Sequence, residues 1–196
     1  MLKFEKKELM KFYLVIFFGF LMVQCTQEKS NKQPSDLWEF KAQHNQINFD
    51  KACMPLIMQY QELLKGLSTN DTTNLFQAAK NLVQLIDSFP VATITFKDSV
   101  LNNQIYQSLQ NMNAELQGVL AEQSREDMQK DVHMLSIQFL NVLALTGFKE
   151  KNIYIFNVDD ENLEDGLIWF GWNKKSIDPY HPKNKKEIIA SQFLQE

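Results

Sequence analysis

Cysteine, glycine and proline are scarce in this sequence of 196 residues, which contains two, six and five of them. So few glycines make phosphate-cradling loops hard to place, and neither collagen-like nor proline-rich repeats are present. Positive charge is not in excess either, because 20 basic residues face 24 acidic ones and the net charge is -4. Nucleic-acid-binding domains normally carry a basic surface. We therefore expect no nucleic-acid partner.

Recognisable catalytic motifs are also missing. The sequence has no G-x-S-x-G nucleophile motif, no P-loop and no dinucleotide-binding glycines. Apolar residues, by contrast, make up 44% of the chain, which is enough for one domain with its own core. The composition predicts such a domain, and the lack of these motifs predicts a protein that is not an enzyme.

The N-terminus combines basic and apolar residues. Residues 12–23 are mainly apolar, Cys25 follows them, and the basic residues that precede them are Lys3, Lys6, Lys7 and Lys11. An apolar run of this length is shorter than the ~20 residues of a membrane-spanning helix and is typical of a signal peptide. A cysteine at its end resembles the lipobox of bacterial lipoproteins. We predict a lipoprotein signal peptide over residues 1–24 and a lipid on Cys25. An ordinary signal peptide or an uncleaved anchor is the alternative.

The residues after Cys25 suggest where the domain is held. Thr26 is not an aspartate, which favours the outer membrane under the enterobacterial sorting rule. We therefore expect a lipid-anchored protein of the cell envelope, at the outer membrane and facing the periplasm, with the membrane as its partner through the lipid. Residues 25–48 are predicted to be a polar tether. A lipidated Cys25 leaves Cys53 without a disulfide partner, so the core alone must hold the fold.

Four segments have apolar residues at three- and four-residue spacings and predict helices, over residues 53–67, 75–86, 101–120 and 128–143. Asp71, Asp98 or Ser99, and Ser124 stand where N-caps are expected, and Pro90 and Gly147 follow predicted ends. Short connections favour antiparallel neighbours. We predict a mainly α fold, an antiparallel up-down four-helix bundle over residues 49–148.

Residues 149–196 have a different pattern. Aromatic and β-branched residues dominate 153–156 and 167–172 on either side of an acidic connector, which predicts a short C-terminal β hairpin packed on the bundle. Lys174-Lys175 and Asp178-Pro179-Tyr180 are predicted to be loop, and Glu187 to Leu194 a last short helix.

Three stretches carry a family resemblance: residues 58–86, the run Val132, Met134, Leu135, Ser136, and Trp169 with the later pair Pro179-Tyr180. Together they resemble an uncharacterised domain common in Bacteroidetes, found in small lipoproteins and at the C-terminal end of heavy-metal efflux adaptor proteins. The resemblance implies a helical fold and an association with copper. Phe156-Asn157-Val158-Asp159 stands where that family carries Cys-Pro-Met, its Cys-Gly is missing, and Gln129 and Asp178 replace an Arg and an Asn.

Two clusters contain soft or imidazole donors for a metal. Cys53, Met54 and Met58 share one predicted helix, and His133 adjoins Met134 on another. Thiols and thioethers suit Cu(I) or Ag(I), whereas buried cysteine and methionine also fill cores without any metal. Core packing is the favoured interpretation, and a copper or silver site is the alternative.

Two further kinds of site are suggested. Thr72 and Ser99 follow Asp71 and Asp98 in the Asp-Ser/Thr pattern of O-glycosylation in Bacteroidetes envelopes, although both aspartates also suit helix caps. Aromatic area concentrates near the C-terminus. Packing of the hairpin's inward face on the bundle is the favoured explanation, and the alternative is an interaction surface formed by those of Trp169, Trp172 and Tyr180 that stay exposed. The expected function is therefore a non-enzymatic, lipid-anchored binding or accessory protein, and the alternative is periplasmic copper or silver binding associated with metal efflux.

Overall fold

The computed structural model describes Trp38 and residues 40–90, 96–161, 163–183 and 187–194. The predicted signal peptide, Cys25 and most of the predicted tether lie outside these residues.

Four long helices make up most of this part of the chain, which confirms the prediction of a mainly helical protein. After a short 3₁₀ turn at Ala42–His44 come α1 (Ile47–Thr69), α2 (Thr72–Asp87), α3 (Ser99–Ala121) and α4 (Arg125–Leu145). Each helix packs against the next one along the chain, and their apolar stripes form a common core. Among the residues described, no helix combines the length and apolarity that crossing a membrane requires.

The predicted caps begin three of the helices. Asp71 accepts a hydrogen bond from the backbone N–H of Asn74, and Ser124 accepts one from Asp127. Asp98 accepts from the backbone at the start of α3. Such caps satisfy N–H groups that have no partner inside the helix. Gly147 follows the end of α4 with a φ of 62°, the left-handed conformation that glycine adopts most easily.

The predicted boundary of the tether is wrong in the structure, because the residues just before α1 belong to the domain. Trp38 is buried, and the backbone N–H of Lys41 donates to the carbonyl of Ala144 at 2.9 Å. Asn45 donates from Nδ2 both to the carbonyl of Gly147 and to Asp50 Oδ2, each at 2.8 Å. This segment is therefore attached to the end of α4, and α1 begins six residues before the predicted stripe.

Five strands follow the helices: β1 (Tyr154–Asp160), β2 (Leu163–Gly171), β3 (Lys175–Ile177), β4 (Glu187–Ile189) and β5 (Gln192–Phe193). One antiparallel sheet has the order β2-β1-β5, and β3 pairs with β4 in a second one. The register of β1 and β2 runs from Tyr154 opposite Gly171 to Asp160 opposite Leu163, with an irregularity after Val158.

Two expectations for the C-terminal region are wrong. Residues 187–194, expected to be a helix, contain β4 and β5, and Lys175, expected to be loop, is the first residue of β3. Residues 187–189 alternate between exposed and half-buried positions, the period of a strand, and they find their partner in β3. An apolar pattern in a segment of eight residues does not distinguish the helix period from the strand period.

Candidate functional site

The outer edge of β2 is closed by side chains rather than by another strand. At Ile168 the backbone N–H donates to His133 Nδ1 at 3.0 Å, and the carbonyl accepts from the Tyr180 hydroxyl at 2.7 Å. Because a backbone N–H is always a donor, Nδ1 of His133 must be unprotonated. The imidazole is therefore held as the neutral tautomer with its proton on Nε2.

Phe170 repeats this arrangement two residues further along β2. Its N–H donates to the Tyr60 hydroxyl at 3.4 Å, and its carbonyl accepts from Gln61 Nε2 at 3.0 Å. Ser136 Oγ donates to the carbonyl of Val132, so the Tyr60 hydroxyl is the donor in its 2.7 Å bond to Ser136 Oγ. Side chains from α1 and α4 thus satisfy a strand edge that could otherwise pair with another chain.

Burial governs the chemistry of the two phenols in this edge. It raises the pKa of Tyr60, an effect that the hydrogen bonds of the hydroxyl with Ser136 and Phe170 oppose. Burial also raises the pKa of Tyr180, and the neighbouring Tyr60 and Asp178 add to the rise. Both hydroxyls therefore stay protonated at neutral pH, as their roles as donors require.

Asp178 holds the turn that delivers Tyr180 to this edge. Its Oδ1 accepts from the backbone N–H groups of Tyr180 at 2.9 Å and His181 at 3.2 Å, and its Oδ2 lies 2.8 Å from His181 Nδ1. From α4, Gln129 Nε2 donates to the carbonyl of Tyr180. In the sequence Asp178 was notable only as a departure from the family pattern, although an Asx residue before a proline is a turn signal.

The predicted aromatic interaction surface is largely buried. Trp169 and Tyr180 are each 1% exposed. Trp169 stacks on Phe156 with 5.2 Å between ring centroids, and its Nε1 donates to Ser176 Oγ at 3.1 Å. Only Trp172 is half-buried. The prediction that Trp169 and Tyr180 form an exposed surface is therefore wrong for the folded chain, because the sheet and the helices use both rings as core.

A cleft of about 420 Å³ lies instead beside β5. The rings of Tyr154 and Phe193 pair across its wall with centroids 5.2 Å apart, and Ile189 at its edge is 71% exposed. Ile177 is exposed too, and the pairing of β3 with β4 places it on the same face as Ile189. Lys174 adds an exposed ammonium group. The other lining residues are Asn152, Ala190, Ser191 and Gln192. This is an amphipathic surface of the kind that contacts another molecule.

The donors suggested for a soft metal point in different directions. Cys53 is fully buried, Met54 is half-buried and Met58 is 54% exposed. His133 is buried with its Nδ1 on β2, whereas the neighbouring Met134 is exposed. Within the residues described, no group of three or more His, Cys, Asp or Glu side chains could hold a metal ion. Within each cluster the donors therefore differ in exposure, with Cys53 and His133 buried and Met58 and Met134 exposed.

We expect the Cys53 thiol to be inert in the folded protein. Burial raises its pKa well above the usual value, and the Asp50 carboxylate one turn away adds to the rise, so the reactive thiolate is suppressed. In a Cys25→Ser background, a disulfide reagent should react with Cys53 at least about 100-fold more slowly than with free cysteine, and at full rate in denaturant.

Cu(I) titration against a chelator should give affinities within about twofold for Cys53→Ala, Met58→Ala and the parent protein. A stoichiometric Cu(I) site lost in either variant would contradict this prediction.

The two predicted glycosylation acceptors lie at helix starts. Thr72 is the first residue of α2 and Ser99 the first of α3, and both are exposed. Their preceding aspartates serve as N-caps. Glycosylation stays a prediction, tested by the intact mass of protein from its native host.

An acidic cluster lies where α3 ends and α4 begins. Burial raises the pKa of Asp131, and the carboxylates of Glu122 and Asp127 raise it further. Burial, and then the charge of Asp131, raises the pKa of Glu115. The folded chain therefore holds these carboxylates together against their mutual repulsion.

Asp131→Asn should stabilise the protein by about 0.2–0.5 kcal/mol at neutral pH, a screened surface value. Because the raised pKa means that the folded state binds the proton more tightly, the parent chain recovers this stability as the pH falls through that pKa toward 3.8. Urea unfolding at neutral pH and at about pH 4 measures both values, with exposed Asp159→Asn as the control. A gain that persists undiminished in acid would rule out this cause.

The fold and the site define a mainly helical protein with a small C-terminal antiparallel sheet, whose outer strand is closed by side chains. No family model, curated protein or solved structure matches this chain.

Proposed function

We propose that this protein is a non-enzymatic binding or accessory module of the cell envelope, anchored by a lipid on Cys25 at the outer membrane and facing the periplasm. In this proposal, residues 1–24 are the cleaved signal peptide. The four helices form an antiparallel up-down bundle, and β1 and β2 form a hairpin packed on it.

The burial of Cys53 carries the anchoring part of the proposal. The chain has two cysteines, and the one inside the domain is fully enclosed by the core with a suppressed thiolate. Cys25 is then the thiol that remains for acylation. Trp38 is buried in the core of the domain. The chain from Cys25 to Trp38 can span at most about 45 Å when fully extended. Such a linker would hold the domain close to the membrane surface.

The binding part of the proposal rests on how the polar groups are distributed. The hydroxyls of Tyr60 and Tyr180 and the imidazole of His133 are bonded to the backbone of β2. These groups therefore stabilise the fold. The cleft beside β5 offers aromatic, aliphatic and cationic side chains to solvent, a combination that suits a partner molecule better than a reaction.

The alternative, copper or silver binding linked to metal efflux, is supported by the sequence resemblance and by the donor types. The separation of Cys53 from Met58 across α1 weighs against it. The Cu(I) titration described above distinguishes the two functions.

Acylation should occur at Cys25 alone. Cells of the native host given an alkyne-tagged palmitate should yield a labelled protein that sediments with membranes. Cys25→Ser should lose the label and the membrane association completely, because a serine hydroxyl does not accept the thioether lipid. Cys53→Ser is the matched control and should keep both. A labelled Cys25→Ser protein, or an unlabelled parent protein, would overturn the proposed anchor.

The cleft is tested by site-specific photocrosslinking in the same cells. A photoreactive residue at Ile189 should form a crosslink that Lys174→Glu or Tyr154→Ala weakens at least about fivefold, because these changes alter the charge and the aromatic wall of the cleft. The same group at exposed Val100 on α3 is the control. Equal crosslinking at both positions, or indifference to the cleft substitutions, would remove the cleft from the proposal.

A further inference from the structure

A second cavity lies where the turn between α1 and α2 meets the start of α4. It has a volume of about 170 Å³. Its floor is apolar, because Leu67, Leu75 and Met128 are all buried core residues. Its rim is polar and consists of Asn70, Thr72, Gln123 and Arg125, with Gly66 behind them. The cavity therefore has one apolar end and one polar end.

Arg125 is the charged group of this rim. Its Nη2 donates to the carbonyl of Leu67 at 2.8 Å and to that of Pro179 at 3.4 Å, and its Nη1 donates to Asn70 Oδ1. All three acceptors are neutral. An arginine side chain has five N–H donors, so two of them have no acceptor within the described part of the chain, and no carboxylate there pairs with the guanidinium.

The surroundings give this cation a preference for anions. Partial burial lowers the pKa of Arg125, because it removes part of the water around the charged guanidinium. Arg125 and Thr72 are also the first residues of α4 and α2, so the positive ends of two helix dipoles face this region. The acidic residues of the first turn of α4, Glu126 and Asp127, both form ion pairs with Lys130, and no carboxylate of the described residues forms an ion pair with Arg125.

We propose that this cavity binds a carboxylate carried on a short apolar chain. The guanidinium would pair with the carboxylate, and the chain would cover the floor formed by Leu67, Leu75 and Met128. A volume of 170 Å³ corresponds to about six water molecules at ~30 Å³ each, which fits a group of about six non-hydrogen atoms. A free short-chain fatty acid and the C-terminus of a polypeptide that ends in an apolar residue both have this chemistry.

Titration of the folded domain with sodium butyrate at constant ionic strength tests the proposal. The methyl NMR signals of the three floor residues should shift and saturate, with a dissociation constant on the order of 1–10 mM. Butyramide, which has the same shape without the charge, should bind about tenfold or more weakly. Arg125→Gln should weaken butyrate binding by a similar factor, whereas Lys51→Gln, at an exposed lysine near the start of α1, should change it by less than about twofold.

Three results would overturn the proposal: no saturable shift, equal binding of butyrate and butyramide, or full affinity in folded Arg125→Gln. If Arg125→Gln does not fold, the comparison of the two ligands on the parent protein still decides. A short peptide ending in leucine, with a free or an amidated C-terminus, separates the two sources. Tighter binding of the free form than of butyrate supports a polypeptide C-terminus, and butyrate alone supports a free acid.

Discussion

Trp169→Ala should destabilise the domain by about 3–5 kcal/mol, the range for truncating a large buried aromatic residue. Trp169 is enclosed on every side, with its ring stacked on Phe156 and edge-on to Tyr180 at 5.8 Å. Its truncation leaves a cavity and removes the indole N–H that donates to Ser176 Oγ. Urea unfolding followed by far-UV circular dichroism measures the loss. A lower urea midpoint with an unchanged dependence of the unfolding free energy on urea concentration marks a pure stability effect.

Trp172→Ala is the matched control, three residues away. Trp172 is half-buried, and its Nε1 has no hydrogen-bond acceptor among the residues that the structure describes. We therefore expect a cost of only about 1 kcal/mol. Equal costs for the two tryptophans would show that Trp169 is more accessible than the structure indicates, and would return it to the interaction surface suggested by the sequence.

Tyr180→Phe should cost about 1–3 kcal/mol, the second largest effect that we expect. The substitution keeps the ring in the core but removes the hydroxyl that donates to the carbonyl of Ile168. That carbonyl lies on the closed edge of β2, where water has no access to replace the donor. The free energy of unfolding gives the cost, and faster amide exchange along β2 would place it at this edge.

Tyr106→Phe removes the same atom from an exposed tyrosine on α3, which is 53% exposed, and should change stability by less than about 0.5 kcal/mol. The comparison isolates the buried hydrogen bond from the intrinsic difference between tyrosine and phenylalanine. A Tyr180→Phe protein as stable as the Tyr106→Phe protein would mean that the edge of β2 does not need this donor.

The helices were predictable because their signals are local. Apolar residues one turn apart and a polar residue before each stripe suffice to locate α2, α3 and α4, and Asp71, Asp98 and Ser124 act as the caps that the sequence suggested. The start of α1 was not predictable in this way. Pro55 lies inside that helix, and a proline normally argues against a helix that continues through it.

The short strands and the buried aromatic residues required the tertiary structure. Lys175–Ile177 become a strand because residues 187–189 pair with them, a contact that no local pattern records. Composition made Trp169 and Tyr180 equally compatible with a surface and with a core. Their burial depends on how β2 packs between α1 and α4, which sequence spacing cannot specify.

The sequence by itself determined the helical body, because helix periodicity is a property of the chain alone, and its two cysteines allow at most one disulfide bond. The tertiary structure decided which polar side chains close β2, that Cys53 is enclosed, and that Arg125 faces a cavity without a carboxylate in the described residues. Those properties depend on residues far apart in sequence, and only packing brings their atoms within hydrogen-bonding distance.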